Sequence, residues 1–268
     1  MRGKEAKPGM EEFVYDVYNE EQWWWSVGRR ALVNKLWRRY GNPGEEPSVL
    51  DIGCGAGSTL AELGKRGRGY GMDVSETALR YCQQRGIITV CMADAATLPY
   101  KDAQFNFVIS VDVLEHVQDD VGAIQEMYRV AKPGGLIVFT VPAFQILWSR
   151  RDEQCHHVRR YRLGEVKAKT AQAGLQMVRA TYVNFPLLVP LFLLVKVGHL
   201  LRRNASIKMD YVLVPPLINK LLGFVVRAEA RWLSRFDLPL GTSICCVALK
   251  PDAAPQPVHE LSAGRASA

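Results

Sequence analysis

Gly53, Gly55 and Gly57 recur at every second position directly behind an apolar run that carries one acid, in Val49-Leu50-Asp51-Ile52-Gly53-Cys54-Gly55-Ala56-Gly57. Glycines at this spacing let a backbone turn tightly and approach a bound molecule with no Cβ in the way. A helical pattern starts at Ser58, so the loop also offers a helix N-terminus. Strand, glycine loop and helix together make a nucleotide site in an open parallel sheet. The spacing narrows the nucleotide. A dinucleotide fingerprint needs Gly-x-Gly-x-x-Gly, and its third glycine falls on Ser58 counted from Gly53, or on Leu60 counted from Gly55. The dinucleotide reading fails.

Further groups with chemistry follow in order. Asp73 ends a second apolar strand, 22 residues after Asp51, where a carboxylate accepts hydrogen bonds from a ribose diol. It is equally placed to cap the helix that begins near Ser75. Asp94 follows a third apolar run and reads as a ligand contact or as a solvated loop residue. Phe105–Val113 is a near-continuous apolar fourth strand, and Leu114-Glu115-His116-Val117 comes straight after it. His116 therefore lies at the carboxyl edge of the sheet, where ligands bind. An imidazole near its ordinary pKa there takes a proton from a hydroxyl, or it simply packs. His157 and Tyr161, behind the fifth strand at the same edge, are its rivals. His156 and His157 are adjacent, and a two-histidine metal site on one element lacks an acidic third ligand, so no metal is expected. Arg150, Arg159 and Arg160 are a solvated face or recognise an anionic acceptor.

The acidic-x-Gly-x-Gly-x-Gly pattern, with Asp73, Asp94 and the fourth and fifth strands in sequence, resembles class I S-adenosylmethionine-dependent methyltransferases of the bacterial small-molecule type. The resemblance spans about Trp23 to Lys250. Trp24–Arg30 (WWSVGRR) and Trp148–Tyr161 (WSRRDEQCHHVRRY) are similar to signatures of one branch, often linked to glycan, lipid or secondary-metabolite pathways. It implies an α/β, Rossmann-like, seven-stranded, mostly parallel sheet with an antiparallel last strand. It implies S-adenosyl-L-methionine as cofactor and S-adenosyl-L-homocysteine as product. The cofactor residues it carries over are Trp24, Arg29, Asp51, Gly53, Cys54, Gly55, Gly57, Asp73, Val74, Asp94, Ala95 and Val111. Asp94 would receive the adenine amino group, Ala95 N–H the ring, and Arg29 the cofactor carboxylate. The tryptophans would fold over the cofactor, or they form an apolar helix face.

These groups must be positioned by alternating strands and helices from Val49 to about Pro142, a pattern that argues for a parallel sheet with crossover helices. A helix over Arg162–Gly174, a sixth strand over Leu175–Val183 and a seventh over Thr242–Lys250 complete it. The expected organisation is a helical cap (1–44), the cofactor domain (45–184 and 240–251), a helical insertion (185–239) and a disordered tail (252–268). The apolar run at 185–195 is too short to cross a bilayer, for which about 20 residues are needed. With the arginine-bearing amphipathic pattern behind it, residues 185–235 wall off the acceptor pocket, rest on a membrane, or meet a second subunit.

The chain has 268 residues, 48% of them hydrophobic, and a formal net charge of +7 whose excess lies in its later half. The basic start has no apolar run behind it, and the six cysteines lack metal-ligand spacing, so reduced thiols and a cytoplasmic location, peripherally at a membrane, are expected. The expected reaction is methyl transfer to a small-molecule or lipid-linked acceptor, anionic or neutral, at oxygen. Transfer to nitrogen or carbon of a natural product, a nucleic-acid methyltransferase and a non-catalytic cofactor-binding protein are the alternatives. Nucleic acid is disfavoured because the fourth strand ends Val111-Asp112-Val113-Leu114-Glu115-His116, without the Asn/Asp-Pro-Pro-aromatic run that grips a flipped base.

Overall fold

A computed structural model describes residues 22–41, 46–200 and 214–252. The expectations for residues 1–21, for the connection within the insertion at 201–213 and for the tail from 253 onward lie outside these. The apolar runs pair into one sheet. Its strands are β1 (Ser48–Ile52), β2 (Arg68–Asp73), β3 (Val90–Met92), β4 (Phe105–Val111), β5 (Ala131–Pro142), β6 (Gln176–Val183) and β7 (Ser243–Leu249). The order is β3-β2-β1-β4-β5-β7-β6. Only β7 runs against its neighbours, pairing antiparallel with β5 and with β6.

Successive side chains of a strand point to opposite faces, so a run buried on both sides reads as continuously apolar. Leu50, Ile52, Phe105, Val108, Ile137 and Phe139 fill one core with helix α4 (Asp120–Val130) and α6 (Leu163–Gln172). Val49, Phe107, Ile109, Val138 and Val247 fill the other. That second face is covered by α1 (Trp24–Tyr40), with Trp37 stacked on Phe107 at 5.2 Å between ring centroids. Helices α2 (Ser58–Gly64) and α3 (Glu76–Gln84) follow β1 and β2.

The described residues of the segment between β6 and β7 are largely helical. A short turn (Phe185–Leu187) leads into α7 (Leu188–Leu200), and Pro190 sits in its first turn, where a missing N–H costs nothing. Helix α8 (Pro216–Leu233) packs along α1. Small residues permit this: a Cβ on Gly28 would meet Val226 at 2.9 Å. Trp24 N donates to Asn219 Oδ1 at 3.0 Å and Asn219 Nδ2 to the Gln22 carbonyl at 2.8 Å. Gly223, Val226, Ala230 and Leu233 form the buried stripe. On the opposite side Leu217, Leu221, Phe224 and Trp232 are exposed. No helix among the described residues is long and apolar enough to cross a membrane.

The chain leaving β5 is tied down by one carboxylate. Helix α5 (Arg150–Gln154) starts at Ser149 in a reciprocal cap with Asp152. Asp152 is fully buried and accepts from Ser149 N (2.8 Å), His157 Nδ1 (2.9 Å), Arg160 Nε (2.7 Å) and a terminal Arg160 nitrogen (3.0 Å). Burial alone would raise its pKa, but the bonds from His157 and Arg160 hold it well below the carboxylate range. Its stabilising effect is therefore complete above about pH 4 and is lost as the pH falls further. Replacing it leaves the Arg160 guanidinium buried without its partner. Asp152→Ala should lose about 3–5 kcal/mol in chemical denaturation, and a loss under about 1 kcal/mol would contradict this role.

Candidate active site

Gly53, Gly55 and Gly57 adopt φ of +70°, +54° and +81°, the left-handed region that favours glycine. The loop they form is fastened to the end of β2. Gly53 N and Cys54 N both donate to the Met72 carbonyl, at 2.8 and 3.0 Å. Gly55 N donates to one Asp73 carboxylate oxygen at 2.9 Å, and Ser75 N donates to the other at 2.9 Å. Ser75, not Asp73, caps α3 by accepting from Ala78 N. The Cys82 thiol on α3 donates to the Gly55 carbonyl at 3.2 Å, a support that no sequence pattern announced.

These groups fit an adenosyl cofactor carrying an amino-acid tail. Each Asp73 oxygen keeps a lone pair for a diol hydroxyl. Val74 and Met92 leave apolar side chains 66% exposed at the ends of β2 and β3, a bed for a planar base. Asp94 follows β3, exposed, with its carboxylate turned onto Ala96 N at 2.8 Å, and Ala95 is buried. Asp51 is buried within β1. Val111 ends β4 half-buried.

Beyond β4 the backbone kinks at Asp112, whose φ is +54°. Asp112 accepts from Thr140 Oγ1 at 2.7 Å and is ion-paired with Arg29, whose guanidinium lies 4.4 Å from the centre of the Trp25 ring. The sequence suggests that Arg29 meets a cofactor carboxylate; in the structure it meets one from the protein. A cleft opens here, walled by Leu32, Val183, Val226 and Leu233 and bearing Asp112 and Glu229. Glu229 accepts from Phe185 N at 2.8 Å, and burial raises its pKa.

A short turn, Leu114–His116, presents Glu115 and His116. The rings of His116 and His157 meet edge to face at 4.8 Å, so two histidines far apart in sequence are neighbours. The packed side of the His116 ring and the adjacent His157 push its pKa down to about 4, well below the ordinary imidazole value expected for a proton acceptor. Burial pushes Glu115 up to about 8.

Three of the remaining candidates, Tyr161, Arg159 and Arg160, are bonded to groups of the protein itself. The Tyr161 hydroxyl is buried, 2.8 Å from Asp120 and 3.0 Å from the Leu114 carbonyl, and burial raises its pKa. Arg159 binds Asp120 at 2.9 Å and the Gln118 carbonyl at 2.8 Å. Arg160 is wrapped around Asp152. Arg159 and Arg160 thus hold internal carboxylates in the structure, where the sequence leaves a solvated face or an anionic acceptor open. Arg150 is exposed at the start of α5.

A family model described as "Methyltransferase domain" matches residues 50–139. Norajmaline N-methyltransferase of Rauvolfia serpentina is 38% identical over 112 residues, 37% of this chain and 37% of that protein. Demethylmenaquinone methyltransferase of Staphylococcus epidermidis is 32% identical over 134 residues, 43% of this chain and 56% of that protein. The chain thus matches 37% to 56% of the length of these two curated relatives. Among solved structures, phosphoethanolamine N-methyltransferase 2 of Haemonchus contortus, in complex with S-adenosyl-L-methionine, is similar in fold. Its TM-score is 0.54 at 18% identity, covering 82% of this chain and 52% of that one. Sheet order, glycine loop and matched segment agree: residues 50–139 match a methyltransferase-domain family, and the fold around them is that of class I S-adenosylmethionine-dependent methyltransferases.

Proposed function

We propose that this protein transfers a methyl group from S-adenosyl-L-methionine to a hydroxyl of a small-molecule or lipid-linked acceptor. The observation that carries the reading is the left-handed glycine loop bonded through Gly55 N to Asp73, at the carboxyl edge of the parallel strands. When bound, the cofactor supplies the electrophilic methyl, so the protein's task is alignment and exclusion of water. Asp73 takes the ribose diol, Asp94 and Ala95 N–H the adenine, and Val74 and Met92 the faces and edge of the base. The acceptor enters the cleft between α1, α8 and the sheet edge, where Leu32, Val183, Val226 and Leu233 hold an apolar body and Glu229 and Asp112 a polar end. His116 lies on the same side of β4, neutral at pH 7. With a pKa of about 4 it is a weak base by itself.

The exposed stripe Leu217, Leu221, Phe224 and Trp232 is flanked by exposed Lys220, Arg227 and Arg231. An apolar helix face with a basic border suits the surface of an anionic bilayer, from which a lipid-like acceptor reaches the cleft beneath. Six free thiols suit a reducing compartment on the cytoplasmic side.

Two measurements test this. Removing the Asp73 carboxylate should weaken cofactor binding by about 1.5–3 kcal/mol in calorimetry, the range for lost hydrogen bonds to a charged group. Unchanged affinity in folded Asp73→Ala would remove the assignment. Vesicles containing anionic lipid should float the wild-type protein, neutral vesicles should not, and Phe224→Glu should stay behind. If no vesicle binds, and Phe224→Glu instead converts a dimer to a monomer in light scattering, the stripe is a subunit seam.

A further inference from the structure

Glu115, His116 and His157 bring one ligand atom each to within 4.8 Å of one another. Two structural elements build this cluster, the turn behind β4 and the loop behind α5, and several bonds lock them together. Val158 N donates to the Glu115 carbonyl at 2.8 Å, and the Tyr161 hydroxyl sits 3.0 Å from the carbonyl of Leu114. His157 gives its Nδ1 to buried Asp152 at 2.9 Å, which turns Nε2 to the cluster. His116 enters the cluster from the turn behind β4, its ring edge to face with that of His157 at 4.8 Å between centroids. An imidazole whose second nitrogen is held by a carboxylate or a backbone carbonyl is the arrangement that orients a metal-binding histidine and raises its basicity.

The cluster is also incomplete as it stands. Glu115 is 1% exposed, and its Oε2 has no hydrogen-bond partner. A buried carboxylate oxygen with nothing to accept from is costly, and a cation or a proton must answer it.

We propose that Glu115, His116 and His157 form a divalent transition-metal site of the zinc type. Two histidines and a carboxylate are a donor set for Zn²⁺, and three protein ligands leave a coordination position for an outside oxygen. The sequence argued against a metal because His156 and His157 have no acidic partner on their element. The fold supplies one from elsewhere, and it replaces His156 by His116. The use of the metal rests on the methyl-transfer reading, whereas the site does not. In that use an acceptor hydroxyl occupies the open position, and the metal lowers its pKa. The O–H bond breaks with its proton passing to solvent. The oxygen then bonds to the methyl carbon as the carbon–sulfur pair returns to sulfur.

The test takes the full chain, untagged and stripped with chelator, and titrates it with Zn²⁺ by calorimetry and with Co²⁺ by visible absorption. One equivalent of either ion should bind, and Co²⁺ should show the ligand-field bands of a four- or five-coordinate nitrogen and oxygen site. Glu115→Gln and His157→Gln, each verified as folded by circular dichroism, should weaken Zn²⁺ by about 100-fold or more, because each loses one of three ligands. Asp152→Asn, which changes the hydrogen-bond partner of the His157 ring, should weaken it by about 10–100-fold. Glu115→Gln should bind S-adenosyl-L-methionine as the wild type does. No stoichiometric uptake by the wild type, or equal affinity in the folded Glu115→Gln and His157→Gln variants, would overturn the site. Metal uptake without cofactor binding would leave the site standing and remove the methyl-transfer reading. Cofactor binding and transfer without uptake would do the reverse.

Discussion

The hydrogen bond from Gly55 N to Asp73 is the contact around which the cofactor edge is arranged. It requires a backbone that passes through three left-handed conformations in five residues, which only glycine supplies without strain. It also requires β1 and β2 to be adjacent and parallel, so that the loop leaving one meets the carboxylate ending the other. The two apolar cores serve this requirement. They bury both faces of β1 and β4 and so leave the carboxyl edge as the place where polar groups gather.

A second carboxylate organises the other half of that edge. Asp152 gathers Ser149, His157 and Arg160, while Asp120 gathers Arg159, Tyr161 and Lys169. Both acids are buried, so each charge must be answered within the protein. The basic stretch behind β5 answers them. That one demand explains why Arg159 and Arg160 face inward, and why His157 arrives beside His116 in a fixed orientation.

The sheet was legible because buried parallel strands leave unmistakable apolar runs, and the order of Asp51, the glycines, Asp73 and Asp94 follows from them. The antiparallel direction of β7 was implied by the family resemblance, and the second helix of the insertion was read from its amphipathic pattern. Pairings across the fold were not. Nothing local in Glu115 distinguishes it from a solvated acid of a turn, and only burial reveals it. The arginines read as a surface patch because their partners lie up to about forty positions away in the chain. The contact of α1 with α8 rests on Gly28 and Val226, two residues without chemistry of their own. Leu217, Leu221 and Phe224 read as apolar in sequence, and only their position opposite the buried stripe makes them a face without cover.

Hydrogen–deuterium exchange with and without S-adenosyl-L-methionine tests the central claim most directly. A cofactor held on the loop and at the two acidic positions that end β2 and follow β3 should slow the amides of residues 53–58, 73–75 and 94–96 while those of β6 and β7 stay unchanged. Equal exchange in both conditions at the loop and at Asp73, or protection confined to another part of the fold, would contradict it.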